Sequence, residues 1–484
     1  MRFRNSGLNS PQTRYPHPLI DRYASADMAD VFSPHRQALI WRDLWIALAE
    51  FERDLGVEIP DVALTEMRAN RDQVDLARIA ELEADLRHDV MAHIHHFGEL
   101  APAARAFIHL GATSCFVSDN AGLIQLRDAL RLVRTRLLDA VAELSVFCRT
   151  WAATPTLGYT HWQPAQPTTV GKRAAMWLQD LVLDIRTVDG LLADLQFRGA
   201  RGTTGTEASF IELFDGDGQK VDELNSRLAD RFGFAGTWPI IGQTYPRKFD
   251  HRVLSALAGI GASVARFGQD IRLLQSFGEI EEPFGSDQIG SSAMPYKRNP
   301  MRCERACSLS RHLCTLELAG AWTASVQGLE RTLDDSAVRR IGLSEAFLCA
   351  DAILLIIRNV TAGLVVHEAV IDRRLRRELP FLVVEQALIF GVRQGGDRQD
   401  LHERIRRHAM DARARLDGGA DDNDFFDRVA ADEAFGLTRE GLDDLAVPSA
   451  LIGRAPEQVE RFLASDVDPL LDGFERAEAP DLRV

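Results

Sequence analysis

The sequence predicts an all-α protein built around a bundle of long, nearly parallel helices. Two observations carry that prediction: apolar seams with helical spacing that run unbroken over many turns, and a scarcity of strand signals. The 484 residues further call for two or three domains rather than one core. Between Asp119 and Ala153, Leu123, Leu126, Leu130, Val133, Leu137, Val141, Leu144, Cys148 and Trp151 step by threes and fours along one helix face. Asp119 or Asn120 is suited to cap this helix, and Pro155 to end it. Some 35 residues at 1.5 Å each give a helix of about 50 Å, far beyond the usual three turns.

The same pattern recurs at Ala174, Leu178, Leu181, Ile185, Val188, Leu192 and Leu195, and at Leu257, Ile260, Val264, Phe267, Ile271 and Leu274. Several such seams imply a bundle. Further helices are expected over 299–327, with Pro300 in the first turn, and over 336–365. The Gly- and Thr-rich segments 199–205 and 237–244 read as connectors that could hold a short hairpin. Boundaries fall near 113 and 366, giving an N-terminal helical part (1–113), a central bundle (114–366) and a C-terminal helical part (367–484). The polar, acidic stretch 416–425 suits a surface loop. Helices this long present more apolar surface than one chain covers, so copies of the chain are expected to associate.

Composition narrows the function. The net charge of −15, from 71 acidic and 56 basic residues, argues against a nucleic-acid partner. A local basic pocket for a small phosphate remains open. The polar N-terminus lacks the apolar core of a signal peptide, and the most apolar run, Phe347 to Ile357, is too short to span a bilayer and carries Asp351. A cytoplasmic protein with no membrane partner is expected. The six cysteines form no CxxC pair, and Cys303, Cys307 and Cys314 fall at helical spacing. They read as reduced thiols on a helix face.

The segment most informative about chemistry is Gln288-Ile289-Gly290-Ser291-Ser292-Ala293-Met294-Pro295-Tyr296-Lys297-Arg298-Asn299-Pro300. It is a loop by composition. It gathers hydroxyl, ammonium, guanidinium and amide groups between two long helices, a set suited to clamping a carboxylate; a solvated connector is the plain alternative. GSSAMPYKRNP resembles the signature loop of the fumarase/aspartase superfamily, whose members eliminate fumarate from succinyl substrates. His109-Leu110-Gly111-Ala112-Thr113-Ser114 and Gly158-Tyr159-Thr160-His161-Trp162-Gln163-Pro164-Ala165-Gln166 fit the same superfamily. From about residue 20 onward, the chain is most similar to the branch that splits succinylated purine nucleotides, and closer to its animal-type than its shorter bacterial-type members. The supporting segments are Arg22-Tyr23-Ala24-Ser25, Arg87 to His93, Thr168 to Arg173, and Arg331 to Ser336.

That resemblance implies the three-domain, fumarase/aspartase-like all-α fold, a homotetramer with active sites shared between subunits, and fumarate elimination without cofactor or metal. It implies cleavage of adenylosuccinate to AMP and of SAICAR to AICAR. Removing a proton beside a carboxylate builds negative charge, so strong donors must sit where that charge develops. Lys297 and Asn299 match the family's contacts to the succinyl carboxylates. Ser291 matches its general base, which needs loop closure and nearby cations to become basic enough. His161 matches its general acid for the leaving nitrogen, a role that suits an imidazole. His88 joins this catalytic set. Arg22, Tyr23, Arg331, Ser336 and Arg340 match phosphate contacts, the last three across an expected helix start. Arg87, Asp89, Thr113, Ser114, Gln243 and Arg305 match further substrate contacts.

Other readings stand beside these. Asp89, His93 and His96 share a helix face, a spacing open to a metal, although the segment matches a substrate contact. Arg201 to Thr206 lacks the spacing of a nucleotide loop and reads as a tight turn. The basic run Arg373 to Arg377 reads as a solvated face. Gly328 and Leu329 stand where the family carries bulkier residues, which bears on packing beside the nucleotide. An argininosuccinate-type lyase or a catalytically silent relative would share the bundle. The former has no need of phosphate-binding arginines, and the full Ser291, Lys297, Asn299 and His161 set argues against the latter.

Overall fold

Helix dominates the computed structural model, which describes residues 17–285, 288–476 and 482. The polar N-terminal segment read above lies outside the described residues up to position 16. The elements that place the site begin with α1 (Pro34–Asp54), α2 (Leu76–Leu86) and α3 (Asp89–Leu100). The bundle consists of α4 (Ser114–Thr150), α5 (Val170–Asp194), α6 (Lys248–Ser276), α7 (Met301–Ser325) and α8 (Asp335–Ala362). Between α4 and α5 stands an antiparallel hairpin, β1 (Pro155–Thr160) and β2 (Gln163–Thr169). A short pair, β3 (Ile280–Glu281) and β4 (Val365–Val366), ties the end of α6 to the end of α8. α9 (Glu368–Leu382), α10 (Val384–Arg393), α11 (Arg398–Asp417) and α12 (Ala455–Phe462) follow.

The apolar seams are the core. Every seam residue of α4 from Leu123 to Cys148 is buried, with α5 and α8 packed along it. Cys303, Cys307 and Cys314 form the face of α7 that meets α6, where Cys307 Sγ lies 3.7 Å from the Ala265 carbonyl. A separate apolar cluster in the C-terminal part gathers Val383, Leu401, Ile405, Phe425 and Phe435. Among the described residues, no helix is long and apolar enough to cross a membrane.

Several element boundaries differ from the expected ones. α4 begins at Ser114, five residues before Asp119, and Thr113 is its N-cap. Asp119 and Asn120 are buried inside the helix because distant chain segments occupy their side chains: Tyr245 N and Arg247 donate to Asp119, and Arg198 N and Gly199 N donate to Asn120 Oδ1. The connectors 199–205 and 237–244 form no hairpin with each other; a single parallel bridge, Phe197 to Thr237, lies beside them. The true hairpin is 155–169. Helix α7 starts at Met301 with Pro300 as N-cap, and α8 starts at Asp335. Ser336 therefore lies one residue inside α8 and does not cap it.

Candidate active site

The candidate residues fall into three groups, set by the lengths of the helices. Thr113 and Ser114 open α4, and the hairpin begins five residues after Thr150 closes it. With 37 residues, α4 separates these points by about 55 Å. Asn299 stands just before α7 and Arg331 six residues beyond its end, so about 37 Å of helix lies between them.

The first group sits where α4 and α8 begin. It rests on buried ions of which only Arg331 is among the sequence-predicted candidates. Arg247, 3% exposed, bridges Asp119 (2.9 Å) and Asp335 (2.5 Å), both at most 1% exposed. Asp335 also accepts from Arg331 at 2.8 Å. Arg339 donates to Asp250 (2.7 Å) and to Tyr245 Oη (2.6 Å). Burial alone would raise the Asp119 carboxyl, but Arg247 and Arg339 overcome it and hold the group below its ordinary range. Asp119 lies four residues before Leu123 on the same apolar stripe. A carboxylate there demands a cation, and that was the available signal.

Around this scaffold stand the candidate contacts. Gln243 takes the backbone N–H to Glu330 O (2.9 Å), and its amide donates to Thr203 O (3.0 Å) and accepts from Cys115 Sγ (3.4 Å). Arg198, its pKa lowered by burial to about 10, closes the 199–202 turn and holds the Gln243 carbonyl. His88 caps α3, its Nδ1 accepting from Met91 N (3.3 Å). Arg87 precedes it in the left-handed conformation that ends α2. Asp89 pairs with Arg340 at 2.7 Å, so two expected substrate contacts neutralise each other here. His96 Nε2 accepts from Asp75 N (3.2 Å) and His93 packs on Trp41, so this histidine run faces the protein interior. Leu329 is 97% exposed with a positive φ, which leaves the approach to Arg331 unscreened by this residue.

The second group surrounds the 288–300 loop. Ser291 Oγ accepts from Ala293 N (3.3 Å) and Met294 N (3.1 Å), donors that favour negative charge on the oxygen. Asn299 Nδ2 donates to Gly290 O at 2.7 Å and closes the loop. Gly290 is required at this crossing, since a Cβ would lie 2.1 Å from Lys297 O. The Lys297 side chain is exposed and has no hydrogen-bond partner among the described residues. Buried Glu282 anchors the loop by accepting from Arg302 N (3.0 Å) and Cys303 N (2.9 Å), which places a carboxylate at the positive end of α7. Arg22 and Arg305 both lie 5.9 Å from the Tyr23 ring, and Arg305 stands in the second turn of α7, the end next to this loop, with about 30 Å of helix between it and the end that precedes Arg331. The expected phosphate contacts are thus divided between the two ends.

His161 stands alone as the third group. It and Trp162 form the two-residue turn of the hairpin, both with positive φ (51° and 61°), the backbone of a tight primed turn. Both are exposed. Arg374, from the supposed solvated run, is instead engaged with the hairpin: it donates to Tyr159 Oη at 2.9 Å and lies 2.8 Å from Glu279.

Comparison with known proteins fits this fold and these residues. The family described as "Lyase" matches residues 46–313, and "Adenylosuccinate lyase C-terminus" matches 380–462. The structure superposes on the 3-carboxy-cis,cis-muconate lactonizing enzyme of Pseudomonas putida with a TM-score of 0.80, at 24% identity, over 94% of this chain and 100% of the other. It matches a fumarate lyase of Mesorhizobium sp. BNC1 with a TM-score of 0.79, at 22% identity, over 93% and 100%. The protein is a lyase with the fumarase/aspartase fold. The chain is 48% identical to adenylosuccinate lyase of Saccharomyces cerevisiae over 96% of each chain. It is 47% identical to that of Schistosoma mansoni over 95% of this chain and 96% of the other. It belongs to the adenylosuccinate lyase family.

Proposed function

We propose that the protein eliminates fumarate from adenylosuccinate, giving AMP, and from SAICAR, giving AICAR, in sites assembled from several copies of the chain in the cytoplasm. In this reading Ser291 takes the proton from the carbon beside the succinyl carboxylate. Lys297 and Asn299 stabilise the negative charge that builds there. The electrons of that C–H bond form the double bond of fumarate as the C–N bond breaks, and His161 protonates the departing nitrogen. His88, Arg87, Asp89, Thr113, Ser114 and Gln243 hold the substrate, and Arg331, Ser336 and Arg340, with Arg22, Tyr23 and Arg305, bind the phosphate and its neighbours. The three parts 1–113, 114–366 and 367–484 divide the work.

The observation that carries the reading is the separation of the candidate groups along the bundle. No single chain can close Ser291 and His88 on one succinyl group across a helix of about 37 Å. Copies packed side by side in opposite directions can, and a homotetramer supplies them. Exposed Leu318, Trp322 and Ile341 on α7 and α8 give such copies an apolar surface to bury. The test mixes two inactive variants, Ser291→Ala and His88→Gln, after dissociation. Each alone should lose at least about a thousandfold in kcat. Reassociated together they should recover close to a quarter of wild-type fumarate release, because some mixed sites carry neither substitution. No recovery in verified mixed tetramers defeats the shared site, and near-normal turnover by Ser291→Ala alone defeats the base.

A further inference from the structure

A two-stranded ribbon is marginal by itself, so the direction in which the hairpin presents His161 must be set by what its strands rest on. The strand β1 rests on two supports: an apolar cluster of Leu157 with Leu375, Leu379 and Leu382 of α9, and a polar junction at Tyr159. The Tyr159 ring stacks on Phe277, the residue that closes α6, with 5.6 Å between centroids. Arg374 of α9 lies over the same Phe277 ring at 4.3 Å and donates to Tyr159 Oη at 2.9 Å. Its Nε lies 2.8 Å from Glu279 Oε1, an ion pair by distance although out of line for a hydrogen bond. Glu279 is 1% exposed. A second arginine, Arg173 at the start of α5, lies within range of the same carboxylate's charge and donates to Leu157 O at 2.6 Å. Between these two anchor points β1 carries a bulge, where Gly158 passes so close to Gln166 O that a Cβ would lie 2.3 Å from it. The bulge bends the ribbon, and the anchors on either side fix the bend.

Glu279 also joins this junction to the other half of the chemistry. Its backbone carbonyl accepts from His367 N at 2.9 Å, and the next two residues form β3, the stem from which the 288–300 loop departs. The C-terminal helix α9 thereby meets the hairpin through the Leu157 cluster and the Tyr159 junction, and meets the stem of the loop through Glu279.

We propose that Glu279, Arg374 and Tyr159 are positioning residues that aim the His161 hairpin, so that the C-terminal part of the chain sets proton delivery without touching substrate. The inference rests on the reading of His161 as the acid. Small misplacement of a reacting group costs rate far more than binding. Loosening the junction therefore lowers kcat and leaves KM in place.

The experiment measures adenylosuccinate turnover by the assembled full-length enzyme carrying Arg374→Gln, Arg374→Lys, Tyr159→Phe or His161→Gln. Arg374→Gln should lower kcat about tenfold and Tyr159→Phe about threefold, each with KM within about twofold of wild type. Arg374→Lys, which keeps a cation beside Glu279, should recover part of the loss. Tyr159→Phe preserves the ring on Phe277, so it tests the junction even where Arg374→Gln fails to fold. Unchanged kcat in Tyr159→Phe overturns the proposal, as does a loss of kcat matched by equal changes in KM and Tm. Normal turnover by His161→Gln would instead remove the acid assignment itself. An inactive His161→Gln beside an unimpaired Tyr159→Phe removes the positioning role alone.

Discussion

Where α8 begins, charge is buried and cross-linked; where α7 begins, it is exposed and held by a few hydrogen bonds. Asp119, Arg247, Asp335 and Arg331 form a continuous ionic chain with almost no exposure until Arg331 reaches the surface. Lys297, Arg298 and Tyr296 stand in solvent on a loop closed by Asn299 and anchored by Glu282. The contrast fits a division of labour. A binding site for a fixed anion gains from groups already in place, since ordering them costs nothing at the moment of binding. A loop that must admit a substrate and then exclude water gains from few ties.

The largest effect expected from breaking this contrast is on stability at the buried end. Asp335→Ala leaves Arg247, which is buried, with one carboxylate of its bridge instead of two. Removing one member of a buried ion pair costs about 3–5 kcal/mol. Thermal or denaturant unfolding should show a loss of that order, with phosphate-dependent binding lost in whatever protein remains folded. A Tm within a degree or two of wild type would show that the network is less tightly bound than its geometry indicates.

An intermediate effect is expected at the exposed end, and in the opposite observable. Gly290→Ala puts a methyl group against Lys297 O and forces the loop open, while touching neither seam nor network. kcat should fall by at least about tenfold, as misplaced catalytic groups do. The unfolding transition should stay within about 1 kcal/mol, as for other substitutions outside a core. A large loss of stability would mean that the loop supports the bundle, and the contrast between the ends would fail.

The two ends also differ in how far the sequence revealed them. The loop was legible because its residues are contiguous: hydroxyl, lysine and amide within nine positions need no tertiary information to be read as one device. The bundle was legible because its seams are periodic. The ionic network was not, because Asp119, Arg247 and Asp335 are over eighty residues apart in sequence and each resembles an ordinary cap or surface charge. Asp119 reads as a cap for that reason, although its place on the apolar stripe points inward. The hairpin does not read as strand because Gly158, Pro164 and Pro167 break its alternation, and a bulge absorbs the mismatch. Arg374 reads as solvated because a run of arginines gives no sign of which one turns inward.

A third effect is local, and it separates the ends by pH. His93 and His109 lie in the part of the chain that carries His88. Burial is the main cause that lowers each to about 4, with Arg42 adding at His93, and His88 and Arg198 at His109. In the unfolded chain both return to about 6.5. Between pH 6.5 and 4 the unfolded state therefore binds more protons than the folded one, so stability falls as pH falls through that window. Hydrogen exchange across 88–109 should quicken progressively from pH 6.5 to 4, once corrected for the intrinsic pH dependence of exchange. His93→Phe, which keeps an aromatic ring against Trp41, should flatten part of that slope. The 288–300 loop carries no histidine and should show no corresponding change. Parallel loss of protection in the loop would mean that the two ends loosen together, and that the buried end is not an independently stable half of the site.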